Sequence, residues 1–136
     1  MTIFSKEEKA AMRATVAEKK AAKEGADAAA ACEAAIAALT GTDKELAEAF
    51  HRLVAENTSL AAKTWYGMPA YADADGKVVV AFKPGSKFKI RYATLEFQQA
   101  ATLDDGNLWP VGFALTRMDD ADQKRIAAIL KAAVGG

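Results

Sequence analysis

Five basic side chains lie between Lys77 and Arg91, and no acidic residue interrupts them. If this stretch is a β-hairpin, small Val79 and Ala81 leave room beneath the charges for an anion or a flat partner. Ammonium and guanidinium groups gathered on one surface attract anions. The alternative is a face of solvated charges, or one neutralised by acidic neighbours elsewhere in the chain. The four candidates for one anion-binding hairpin face are Lys83, Lys87, Lys89 and Arg91.

Large aromatic residues flank this basic stretch and could wall a ligand site. They are Trp65, Tyr66, Tyr71 and Trp109. Aromatic walls beside basic residues also suit single-stranded nucleic acid. For the two tryptophans, packing in the core is the competing explanation.

Carboxylates suggest a second chemistry, the binding of a hard cation such as Fe(II). Asp104 and Asp105 sit in a glycine-containing loop and are the candidate metal ligands. Further aspartates, at positions 119, 120 and 122, crowd the start of the predicted last helix, where helix capping explains them equally well.

Enzymatic constellations are mostly missing from the sequence. Cys32 and His51 are the only residues of their kinds, and they fall on different predicted helices. Glycine-rich phosphate loops and nucleophile elbows do not occur. We therefore expect a half-buried structural histidine, a cysteine packed in the core, and a protein that binds rather than catalyses.

The elements that must position these residues begin with helices. Ser5 and Glu8 have the spacing of a capping box, and the helix that follows is predicted to end at Gly25. A second helix is predicted over residues 27–39. Gly41 ends that helix, and Thr42 with Glu45 caps a third.

The middle of the chain alternates like β-structure. Residues 77–83 and 87–97 are predicted to pair around the loop 84–86. In that register Phe82 faces Phe88, Val80 faces Ile90, and the basic side chains lie on the opposite side. A further strand is predicted over 111–115, and Asp120 is predicted to cap a closing helix. The fold class is therefore α+β, with N-terminal helices, a central antiparallel sheet and a C-terminal helix.

Three segments carry a resemblance to a known family: TWYGMPAYA, GKVVVAFKPGSKFKIRYATLEF and LDDGNLWP. Together they resemble the bacterial YdhG-like family, domain of unknown function 1801, from about Leu46 to the C-terminus. Some members of that family are labelled frataxin-like iron chaperones. The length of 136 residues suits a single domain over 1–136. Within it, the resemblance implies a helical extension (1–40) before a YdhG-like core (41–136).

Composition sets the remaining expectations. Eighteen basic and eighteen acidic residues cancel, so the net charge gives no reason to expect nucleic acid as a partner. Neither a membrane-spanning run nor a signal peptide is apparent, and a single cysteine suits a reducing cytoplasm. We expect a cytoplasmic module that binds a small anionic ligand or a protein partner without a cofactor; the alternative is an iron-binding chaperone.

Overall fold

A computed structural model of the protein describes residues 5–135, in which three α-helices surround one face of a five-stranded sheet. This arrangement confirms the α+β class. The helices are α1 (Lys6–Ala37), α2 (Gly41–Asn57) and α3 (Asp120–Ala133). The strands are β1 (Ala61–Trp65), β2 (Met68–Ala72), β3 (Val78–Lys83), β4 (Ala93–Phe97) and β5 (Gly112–Leu115).

The sheet is an antiparallel meander in which every strand pairs with its neighbour in sequence, in the order β1-β2-β3-β4-β5. A register shift between Tyr71 and Ala72 marks an irregularity where β2 pairs with β3. The β5 strand lies within the stretch that the sequence predicted. The turn over residues 73–76 is also present, since the Asp73 carboxylate accepts hydrogen bonds from the amides of Asp75 and Lys77, each at 3.0 Å.

The core lies between the helices and one face of the sheet, which we call the inner face. Alternate side chains of each strand point to this face because successive residues of a strand project to opposite sides. The inner face contributes Tyr71, Val80, Phe82, Leu95 and Phe97 to the core. The helices contribute Cys32 and Ile36 from α1, Leu46, Phe50, Leu53 and Val54 from α2, and Ile126, Leu130 and Ala133 from α3.

The first helix is continuous, so the predicted end at Gly25 is wrong. Glycine costs a helix only about 1 kcal/mol relative to alanine. The alanine-, lysine- and glutamate-rich segment before it and the alanine-rich segment after it have high helix propensity and carry the helix through it. The Ser5 cap is confirmed, because its side chain accepts a hydrogen bond from the Glu8 amide at 3.1 Å.

Only the last part of α1 packs on the domain. Every residue from 5 to 27 is exposed, whereas Cys32 is fully buried and Ile36 is 5% exposed. We call the exposed stretch 5–27 the helical arm. At 1.5 Å per residue it is about 33 Å long. None of the helices in the described part of the chain is long and apolar enough to cross a membrane.

Deleting the residues before Gly25 should leave a domain that unfolds cooperatively at nearly the same temperature, because the arm buries no side chain against it. Differential scanning calorimetry of the full chain and the truncated chain measures this. A broad transition, or a loss of more than about 1 kcal/mol of unfolding free energy, would show that the arm supports the core.

The predicted hairpin register is also wrong. Phe82 faces Leu95 rather than Phe88, and Val80 faces Phe97 rather than Ile90. The chain between β3 and β4 forms a loop over residues 84–92 that contains a short 3₁₀-helix, Ser86–Phe88. Phe88, which the prediction buried, is 43% exposed.

Long-range contacts hold this loop, which explains why local alternation misled the prediction. The Asp43 carboxylate of α2 accepts hydrogen bonds from the amides of Gly85 and Ser86, each at 3.1 Å, and from the Ser86 hydroxyl. The Ile90 amide donates to the Gly85 carbonyl at 2.9 Å and closes the loop. A partner more than 40 residues away cannot be seen in the pattern of the hairpin itself.

Two helix starts differ from their predictions. Thr42 lies inside the first turn of α2, which begins at Gly41, so it does not form a capping box with Glu45. The cap of α3 is Asp119 rather than Asp120. Its side chain accepts from the Asp122 amide at 2.9 Å, while the Asp122 side chain accepts from the Asp119 amide at 3.0 Å.

Candidate functional site

The face of the sheet opposite the helices, which we call the outer face, carries small side chains at its centre. Ala70 of β2 pairs with Ala81 of β3, and both are fully buried. Lys63 pairs with Ala70 on one side, and Glu96 pairs with Ala81 on the other. Longer side chains therefore stand around a shallow centre.

A cleft of about 700 Å³ lies on this face, and we call it the outer-face cleft. Two ammonium groups, an indole ring and two carboxamides line it, and none of its described lining residues is acidic. The lining consists of Lys63, Trp65, Gly76, Lys77, Val78, Gln98, Gln99 and Ala100. Such a set offers hydrogen-bond donors and a flat apolar surface to one ligand.

Strands β1 and β3, the turn before β3 and the 98–111 loop position these side chains. Lys63 and Trp65 project from the same side of β1 because they are two residues apart. Val78, at the start of β3, packs with Trp65 against the buried Met68, Ala70 and Ala81. The Gln98 amide donates to the Val79 carbonyl at 2.9 Å, which fixes the start of the 98–111 loop beside the cleft.

The turn between β1 and β2 holds the neighbouring aromatic ring. Tyr66 and Gly67 both have positive φ, 51° and 76°. The Tyr66 ring packs edge-on against Trp65, with ring centroids 4.8 Å apart, and Tyr66 is 82% exposed. Of the four predicted wall residues, Trp65 and Tyr66 are therefore together.

The other two aromatic residues lie elsewhere. Tyr71 is 1% exposed on the inner face, so its predicted place at a ligand surface is wrong. Tyr71 directly follows Ala70, whose side chain points to the outer face. Because successive strand residues project to opposite sides, the Tyr71 side chain points to the inner face. Trp109 lies in the 98–111 loop before β5, is 39% exposed, and does not line the outer-face cleft.

The four predicted cations do not share one face either. The Lys83 ammonium lies 3.8 Å from a Glu96 carboxylate oxygen and 4.8 Å from the centroid of the Phe88 ring. The Lys87 ammonium lies beside the Gly67 turn. Lys89 has left-handed backbone geometry, with φ at 56°, and so belongs to the loop rather than a strand.

Arg91 lines a second cleft, of about 480 Å³, at the start of α2. The Asp43 carboxylate also lines this cleft. Burial disfavours its charged form, but the hydrogen bonds from the Ser86 hydroxyl and from the two loop amides outweigh burial and lower the pKa of Asp43. A carboxylate that stays ionised repels anions, so this cleft suits an anionic ligand less well than the outer-face cleft does.

Cys32 and His51, predicted on separate helices, meet around Tyr71 in the core. The His51 Nδ1 atom and the Tyr71 hydroxyl are 2.9 Å apart, and Cys32 belongs to the same buried cluster as Tyr71. Burial raises the pKa of Cys32, so the thiol stays protonated and unreactive. This arrangement agrees with the structural roles predicted for Cys32 and for the half-buried His51.

The candidate metal ligands are not gathered into a site. Asp104 and Asp105 are exposed neighbours in the 98–111 loop. Asp119 and Asp122 form the cap of α3, and Arg117 lies 3.6 Å from Asp119. Within residues 5–135, no group of three or more His, Cys, Asp or Glu side chains could hold a metal ion.

Sequence reasoning missed four of the cleft residues: Lys63, Lys77, Gln98 and Gln99. Lys63 and Trp65 are two residues apart on a strand, and this spacing was a usable signal. The glutamines carried no signal, because they reach the cleft only through the pairing of β3 with β4.

Comparison with known proteins gives no relatives: no protein-family model matches the chain, and no curated protein or solved structure is significantly similar to it. The resemblance to the YdhG-like family therefore stays a prediction.

Proposed function

We propose that this protein is a binding module whose outer-face cleft takes a small anionic ligand that carries a flat ring. The observation that supports the proposal is the composition of the cleft: Lys63 and Lys77 stand around the Trp65 indole without a carboxylate among the described lining residues. The proposal keeps the anionic ligand predicted from the sequence but assigns its binding to different lysines.

Charge favours an anion in this cleft. Glu96, which faces Ala81 on the outer face, is already paired with Lys83. Lys63 and Lys77 form no salt bridge with any described residue, so their charges are available to a ligand. A hydrogen bond to a charged group contributes about 1.5–3 kcal/mol.

Shape favours a ring. The Trp65 side chain is only partly buried and borders the cleft, and Tyr66 supports it edge-on. A planar ligand can stack on an indole, and the Gln98 and Gln99 carboxamides can donate to or accept from its polar edge. Phenyl phosphate and nucleoside 5′-monophosphates combine both features.

Replacing Lys63 and Lys77 together by glutamine should weaken the binding of such a ligand at least about tenfold, since two charge-assisted contacts are lost. The measurement is fluorescence titration of a Trp109→Phe background, in which Trp65 is the only indole, with phenyl phosphate, nucleoside monophosphates and inorganic phosphate. We expect Trp65 emission to change with the ring-bearing anions.

The matched control is Lys124→Gln with Lys131→Gln, which removes two exposed lysines from α3 and should leave affinity unchanged. The proposal would be overturned if Trp65 emission changed with none of the probes, or if the two double variants lost affinity equally.

A further inference from the structure

The helical arm has a strongly asymmetric charge. At about 100° per residue, five cations of the arm fall within an arc of about 100° around the helix axis. They are Lys6, Lys9, Arg13, Lys20 and Lys23. Of the five acidic residues of the arm, Glu7, Glu8 and Glu18 lie outside this arc, whereas Glu24 and Asp27 lie within it, at the C-terminal end of the arm. We call these five cations the basic row.

The charges of the basic row are largely uncompensated. Its members are all exposed, and only Lys20 has an acidic partner among the described residues, Glu24, at 3.9 Å. Because that pair is exposed, it is weak, and another anion can replace Glu24 as the partner of Lys20. The row spans about 25 Å along the helix.

From this row we propose that the helical arm docks on double-stranded DNA through the phosphate backbone, independently of base sequence. The proposal goes beyond the proposed small-ligand site and uses none of its residues. B-DNA presents one negative charge for about every 1.7 Å of its axis. A straight row of cations about 25 Å long can therefore meet several phosphates at once.

The shape of the arm suits the same partner. An α-helix with its side chains is about 10–12 Å across, close to the width of the DNA major groove, about 12 Å. Since no residue of the arm packs on the domain, the helix can lie along a duplex without a clash from its own sheet. The basic side chains, which share one side of the helix, then face the phosphates of one groove wall.

A membrane surface is the competing polyanion, and the arm fits it less well. Interfacial helices bury a broad apolar face, with large side chains such as Trp, Phe and Leu. Across residues 5–27 the large apolar side chains are Met12 and Val16, and both lie beside or within the basic row. The rest of the surface is alanine and charged residues, which gives little apolar area to insert.

The net charge of the chain hides this feature. The whole chain is formally neutral, which gave no reason to expect nucleic acid as a partner. Most of the acidic residues that cancel the basic row in the net charge lie elsewhere in the chain, not beside it. Charges more than about 8–10 Å apart are largely screened at physiological salt. The row therefore acts on a partner by its local charge.

The test is fluorescence anisotropy of the full-length chain with a labelled DNA duplex of about 20 base pairs, at about 50 mM salt and above. We expect binding that weakens steeply with salt. Lys9→Gln, Arg13→Gln and Lys20→Gln together should weaken it at least tenfold and reduce the slope of log affinity against log salt by about 3. Glutamine keeps helix propensity, and circular dichroism checks that the helix persists.

The matched control is the triple variant Lys124→Gln, Arg125→Gln and Lys131→Gln on α3, which changes the net charge equally. The affinity of this control variant for the duplex should fall less than threefold. No duplex binding at about 50 mM salt, equal losses in both triple variants, or tighter binding to duplex RNA or to phosphatidylserine vesicles than to duplex DNA would each overturn the proposal.

Discussion

Replacing Gly85 by alanine should destabilise this protein by about 3 kcal/mol or more, or prevent folding, because the added methyl group has no space. A Cβ at this position would lie 2.5 Å from the Tyr92 carbonyl oxygen and 2.9 Å from that of Ile90. Both are backbone atoms, so no side chain can move aside. The backbone of Gly85 has φ at −71°, which any residue adopts, so the cost comes from contact alone.

Gly76→Ala is the matched control. Gly76 has φ at 80°, and a Cβ there would meet no atom within 4 Å. Its cost should be only about 1–2 kcal/mol, from the left-handed conformation. Urea unfolding of both variants gives the two free energies. If Gly85→Ala lowers the free energy of unfolding no more than Gly76→Ala does, the 84–92 loop adjusts freely to the added methyl group.

Substitution of Tyr71 should cause the second large loss of unfolding free energy, because Tyr71 supports the core. Tyr71→Ala removes a fully buried ring that packs edge-on against Phe50, with centroids 5.6 Å apart, and should cost about 3–5 kcal/mol. Tyr71→Phe keeps the ring and loses only the hydrogen bond with His51, so it should cost about 1 kcal/mol. Calorimetry of both variants separates the ring from the hydroxyl.

The same residue should make the fold sensitive to alkali. Burial first, and then the neighbouring Cys32, raise the pKa of Tyr71 well above its usual value. A raised pKa in the folded state means that unfolding free energy is constant below about pH 10, the pKa of an unfolded tyrosine, and falls as the pH rises further. Tyr71→Phe should reduce this fall. Unfolding free energies of both proteins between pH 8 and 11 measure it.

The sequence predicted well the features that depend on local pattern. The N-terminal helical region, the C-terminal helix, the turn over residues 73–76 and the strand β5 follow from periodicity and turn residues, and each is present. The helix boundary at Gly25 failed because alanine-rich flanks override one glycine. The hairpin register failed because Asp43, on a distant helix, determines the course of the loop after β3.

The candidate site was harder to predict, because it depends on which strand neighbours which. A basic face was inferred from alternation across residues 83–91, and the loop removed that alternation. The sequence singled out Trp65, which lines the outer-face cleft, but Lys77 and Gln98, which line it too, come from separate parts of the chain. Residues of this kind become a group only after the sheet has formed.

The meander order of the sheet has a consequence for how the chain folds. Each strand pairs with the next along the chain, and the connections lengthen from residues 66–67 through 73–77 and 84–92 to 98–111. Closing a longer loop costs more conformational entropy, so the β1–β2 hairpin is the cheapest pair to form and β4–β5 the most expensive. Such a sheet can grow by adding one strand at a time to an existing edge. Folding should therefore be fast for a β-rich domain, with β5 added last.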